Sequence, residues 1–111
     1  MSNTPSGVLA MKDLVQAQVG SVVSRTLVKK PTGTVTAFAF GAGEGLSEHA
    51  TPFDALVIGV EGEAEVRIDG QPHTVRAGDL LAMPANHPHA IKAAAPFKML
   101  LVMIRDSERV G

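Results

Sequence analysis

Cysteine, tryptophan and tyrosine are absent from the 111 residues of this chain, and its only aromatic side chains apart from histidine are four phenylalanines. The lack of thiols excludes disulfides, thiolate catalysis and cysteine-ligated zinc or iron–sulfur centres. With 45 % of residues hydrophobic and so few rings, the core must be built from Val, Leu, Ile, Ala and Met. That composition suits the interior of a small sheet structure. Strong charge is also missing. The formal net charge of −1 at pH 7 creates no field that would gather nucleic acid or an anionic membrane, so neither is an expected partner. No apolar stretch approaches the roughly 20 residues that span a bilayer; the longest, Met99 to Ile104, has the length of a strand. The start, MSNTPSGVLAMKDLV, lacks a basic segment followed by an apolar run, so it does not read as a signal peptide and the expected location is the cytoplasm. The length allows one core and one domain.

What is present reads mostly as strand. Residues 1–20 form an N-terminal arm, loose at its polar start and containing at most one short helical turn around Met11, Leu14 and Val15. Residues 21–105 form the folded domain, and 106–111 a charged tail. Val22 to Lys29 is rich in β-branched residues, and Pro31–Thr32–Gly33 turns the chain into Thr34 to Phe40. Ala55 to Val60 is a continuous apolar run, predicted to be buried on both faces, with Gly59 inside it marking a bulge or a close backbone approach. Glu63 to Asp69 alternates strictly, which predicts one face on the core and one in water. Asp69–Gly70 is a two-residue hairpin signal. Leu80 to Met83 and His89 to Ala93 are short strands around a loop at Pro84 to Pro88. Phe97 to Ile104 closes the domain with no polar side before Arg105. It should therefore be covered on both faces, one of them by a partner subunit. Some eight short strands broken by Gly and Pro indicate an all-β sandwich or barrel.

Two segments hold three of the four histidines: GEGLSEHATPFDALVIGVEG from Gly43 to Gly62, and GDLLAMPANHPH from Gly78 to His89. The order is Gly-x5-His, a strand ending Glu-Gly-Glu, an Asp-Gly turn, Ala-Gly-Asp, and Pro-x4-His. This order resembles the two conserved motifs of the cupin superfamily from about Gly43 to His89. Gly43, His49, Gly62, Gly70, Gly78, Pro84 and His89 carry the resemblance. It implies an all-β fold, a double-stranded β-helix or jelly-roll barrel over residues 21–105, usually as a homodimer.

The same resemblance implies a metal site of His-x-His and Glu from the first motif and a His from the second. Here the first His falls on His49, the second on Thr51, the Glu on Ala55 and the last His on His89. Two of the four ligands remain. His49 and His89 are thus the candidate metal ligands, with His87 or water completing the shell, and Thr51 and Asn86 as candidate pocket residues. Asn86 stands where the family often has Gly after the motif-two proline. Asp54 and Glu48 lie one position from ligand sites, an offset that points a strand residue to the opposite face. His73 follows Pro72 in a strand and reads as surface, and Met83, Met99 and Met103 read as core filling. No nucleophile–base arrangement or phosphate-cradling loop is visible, and the glycines from Gly41 to Gly45 open no helix.

The first functional expectation is a small cupin that binds a divalent metal at His49 and His89, the metal acting on a small organic substrate if the protein is an enzyme. Zn, Ni, Mn and Fe are all candidates, and neutral nitrogen ligands suit Zn or Ni better than Ca or Mg. The second is a non-enzymatic protein that binds or senses a small molecule, its metal site decayed. Fold alone does not choose between them.

Overall fold

The computed structural model describes residues 6–106. Residues 1–5 of the expected arm and 107–111 of the expected tail lie outside the described residues. After a 3-10 turn at Met11–Asp13, the described residues form nine strands. These are β1 (Val22–Lys30), β2 (Gly33–Phe40), β3 (Gly45–His49), β4 (Asp54–Glu61), β5 (Glu63–Ile68), β6 (Gln71–Arg76), β7 (Leu80–Met83), β8 (His89–Lys92) and β9 (Phe97–Ile104). They assemble into two antiparallel sheets, one ordered β1-β2-β9-β4-β7 and the other β3-β8-β5-β6. The predicted sandwich of short strands is thus a double-stranded β-helix. No helix among the described residues is long and apolar enough to cross a membrane.

Alternation places the core. On β5, Ala64 and Val66 are buried while Glu63 and Arg67 are exposed, and on β4 Ala55, Val57 and Gly59 are buried. Phe40 on β2 and Phe97 and Met99 on β9, in the same sheet as β4 and across from β5, are also buried, with the Phe40 and Phe97 ring centres 5.9 Å apart. Each such side chain contributes about 1.5–3 kcal/mol by leaving water. Turn chemistry sets the register between strands. Asp69 (φ 53) and Gly70 (φ 79) are both left-handed, the requirement of a tight two-residue hairpin, and they lock Ile68 opposite Gln71. At Gly59 both signs of the sequence are realised. The β4–β9 register slips between Gly59 and Glu61, and a Cβ at Gly59 would collide with the Arg76 carbonyl oxygen.

Two expectations need correction. The second face of β4 is not fully buried, since Leu56, Ile58 and Val60 are only half-buried. Strand β9 also contains a charge: Lys98 lies within it, 7 % exposed. Its Nζ donates to the Lys12 carbonyl oxygen (2.6 Å) and the Gln16 Oε1 (3.3 Å), and Glu61 Oε1 lies 3.6 Å away. Part of the cover over the outer face is thus the chain's own N-terminal stretch, where Leu14 and Val15 are buried against Ala37 and Ala39. The rest of that face, on β4 and β7, keeps Leu80 60 % exposed.

Candidate functional site

The two histidine-bearing segments meet because backbone and side chain tie them together. The Asn86 N–H donates to the Thr51 carbonyl oxygen (2.7 Å), and the Ala85 N–H donates to Asp54 Oδ1 (2.9 Å). Asn86 adopts φ 69, a conformation that Asn tolerates better than most residues with a side chain, which explains why it can stand where a glycine is usual. These bonds join the β3–β4 and β7–β8 loops and bring β3 alongside β8.

On those strands His49 and His89 are direct cross-strand partners. Simple alternation would send Leu46 and His49 to opposite faces of β3. The register instead slips between them, three steps on β3 matching two on β8, so a bulge brings His49 level with His89. The rings lie 4.5 Å apart, edge to face. His49 Nδ1 is 2.8 Å from the Ser47 carbonyl oxygen, and His89 Nδ1 is 3.3 Å from the His87 carbonyl oxygen. A carbonyl oxygen only accepts, so in both rings Nδ1 carries a hydrogen, which in the neutral imidazole leaves the lone pair on Nε2. A hydrogen bond from the far ring nitrogen to a carbonyl oxygen is how metal proteins orient their histidine ligands. His49 is exposed, whereas His89 is 8 % exposed. The pKa of His89 lies below the usual imidazole value, chiefly because burial disfavours the cation and then because a charged His49 would repel it; the His87 carbonyl works the other way. His89 is therefore neutral at pH 7, the state a ligand needs.

His87 behaves differently. Its Nδ1 is 2.7 Å from Asp69 Oδ2, and both side chains are about half exposed. Thr51 is occupied locally: its hydroxyl donates to the Phe53 carbonyl oxygen (3.3 Å) and accepts the Phe53 N–H (3.2 Å). Ala55, at the carboxylate position, sits between Met83 and Met103 on its two neighbouring strands. Among the described residues no three His, Cys, Asp or Glu side chains converge as a metal-holding group.

A groove of about 400 Å³ opens at one end of the five-stranded sheet, lined by Pro52, Asp54, Asn86 and Arg105 among others. Asn86 faces this groove, whereas neither His49 nor His89 lines it. Arg105 was not anticipated there. Its guanidinium stacks 5.3 Å over the Phe53 ring and its Nε donates to the Pro31 carbonyl oxygen (3.0 Å). No sequence spacing signals that contact, because Pro31 and Arg105 meet only through the β2–β9 pairing. His73 lies on the surface.

Comparison with known proteins agrees with this architecture. A family model described as a cupin domain matches residues 36–104. A conserved protein of unknown function from Streptococcus pyogenes superposes with a TM-score of 0.88 at 34 % identity, over 93 % of this chain and 90 % of that one. A cupin superfamily protein from Desulfitobacterium hafniense gives a TM-score of 0.87 at 31 % identity, over 94 % and 96 % of the two chains. Among curated proteins, the dimethylsulfoniopropionate lyase DddW of Ruegeria pomeroyi is 37 % identical over 79 residues, covering 67 % of this chain. The chain spans about half (52 %) of that relative's length. With two facing antiparallel sheets, a histidine from each motif brought together, and a family match over most of its length, the chain belongs to the cupin superfamily.

Proposed function

We propose that His49 and His89 bind one divalent transition metal, and that the protein is a metal-dependent enzyme acting on a small organic substrate. The observation that carries this reading is the pair of adjacent imidazoles, each anchored through Nδ1 and each without a hydrogen-bond partner at Nε2 among the described residues. The donor set fits a metal as half a coordination shell: two neutral nitrogens from the protein, with water and substrate oxygen as the remaining ligands. Neutral nitrogen favours Zn or Ni over Mn, and Fe stays in the set to be tested. A bound ion would supply Lewis-acid polarisation of a substrate oxygen or, for iron, a centre for oxygen chemistry. The likeness to a dimethylsulfoniopropionate lyase supports testing dimethylsulfoniopropionate first among candidate substrates.

The test is elemental analysis of tag-free protein, then refilling with Zn, Ni, Mn and Fe(II). Near one metal per chain in the wild type, lost in His49→Ala and His89→Ala with the fold intact, is the expected result. Absence of metal and of uptake at micromolar levels would overturn it. The second reading, a non-enzymatic protein that binds or senses a small molecule, would then stand. The self-contained hydrogen bonds of Thr51 and the small Ala55 between two methionines favour it.

We also infer a homodimer. Leu56, Ile58 and Leu80 share the outer face of the larger sheet, with Ile58 directly opposite Leu80, and the N-terminal 3-10 turn lies against β4 with Met11 half-exposed. A two-fold axis lets one such patch cover its own copy.

A further inference from the structure

We propose that Asp69 is the positioning residue of this site, fixing the ring of His89 through His87. This rests on the metal-site reading for its consequence, but its geometry stands apart from any metal. Asp69 occupies the β5–β6 turn, one residue beyond Ile68, which pairs directly with His89. From there it holds the β7–β8 loop at two points. Its backbone N–H donates to the Pro88 carbonyl oxygen (2.9 Å), and its carboxylate accepts the Nδ1–H of His87 (2.7 Å). The carbonyl oxygen of this same His87 accepts the Nδ1–H of His89. The clamp therefore acts on the residue that sets the tautomer of His89, and with it the nitrogen left free for a ligand.

The backbone explains why an aspartate can do this. A left-handed φ of 53 is tolerated by Gly, Asn and Asp but strained for other residues. Only Asn and Asp combine that backbone with a side-chain acceptor. This gives a clean pair of variants. Asp69→Gly keeps the turn and removes the acceptor, and Asp69→Asn keeps both.

The experiment is a long-range proton–nitrogen correlation spectrum of the imidazoles at pH 8 in metal-free protein, followed by cobalt(II) titration. In the wild type and Asp69→Asn, His89 and His49 should both carry their hydrogen on Nδ1. In Asp69→Gly, His89 should shift to a mixture of tautomers while His49 stays unchanged. Cobalt(II) affinity should fall roughly 10- to 100-fold in Asp69→Gly and recover in Asp69→Asn. A wild-type His89 tautomer in Asp69→Gly overturns the proposal. A wild type that takes up no cobalt(II) overturns the metal reading, and the tautomer comparison still decides the role of Asp69. Should Asp69→Gly fail to fold, His87→Ala removes the same contact from the other side, and in it the His89 tautomer alone decides.

Discussion

At the residue scale the informative contrast is between two histidines on neighbouring strands. His89 is buried beside His49, and its lowered pKa has two main causes, burial first and the repulsion a protonated His49 would exert second. The order of those causes makes a prediction. In His49→Ala the pKa of His89 should rise, yet stay below the ordinary value near 6.5, because the larger cause remains. NMR titration of His89 measures this, and a full return to the ordinary value would show that burial had been overrated. The same shift couples to stability. The unfolded chain protonates His89 before the folded one does, so its contribution is whole above about pH 6.5. It is lost as the pH falls from there through the lower folded-state value. Thermal midpoints of the wild type should therefore drop more between pH 7.5 and 5 than those of His89→Gln. A parallel decline in the two would refute the coupling.

At the scale of elements, one lysine joins the N-terminal stretch to the larger sheet. Lys98 is inside an otherwise apolar strand, and its ammonium is held by Lys12, Gln16 and Glu61, two of them more than eighty positions away in sequence. Burying a cation is costly unless it is hydrogen-bonded, so these acceptors and the lysine depend on each other. Lys98→Ala should cost about 1–3 kcal/mol in denaturant unfolding. Amide exchange in residues 12–18 should rise far more than in β2 and β9. Uniform acceleration across the sheet would instead mean that Lys98 supports the core as a whole. The strands themselves were legible in the sequence, since period-two alternation marks β5, Asp69–Gly70 marks its turn into β6, and Pro31–Thr32 marks the turn from β1 to β2. Lys98 was passed over because the run from Phe97 reads as apolar, and its partners lie at the other end of the chain.

At the scale of the molecule, the larger sheet has an unequal outer face. The N-terminal stretch covers the side built on β2, while Leu56, Ile58 and Leu80 on β4 and β7 remain partly open. If a second copy covers them, Leu80→Lys should convert a dimer to a monomer in sedimentation. Its effect on the fold should be small, within about 0.5 kcal/mol, because Leu80 is 60 % exposed within one chain. A wild type that stays monomeric at micromolar concentration would sink the dimer.

The sequence by itself determined where strands and turns lie and which face of β5 enters the core, because alternation and left-handed turn residues act over a few positions. Its resemblance to the two cupin motifs also named His49 and His89 together. Only the tertiary structure decided how those histidines are presented. The bulge that levels His49 with His89 depends on cross-strand register, and the hydroxyl of Thr51 is claimed by Phe53 in the folded loop. The turn of His87 toward Asp69 depends on β5 lying beside β8. These are contacts between distant positions, and no local period in the chain encodes them.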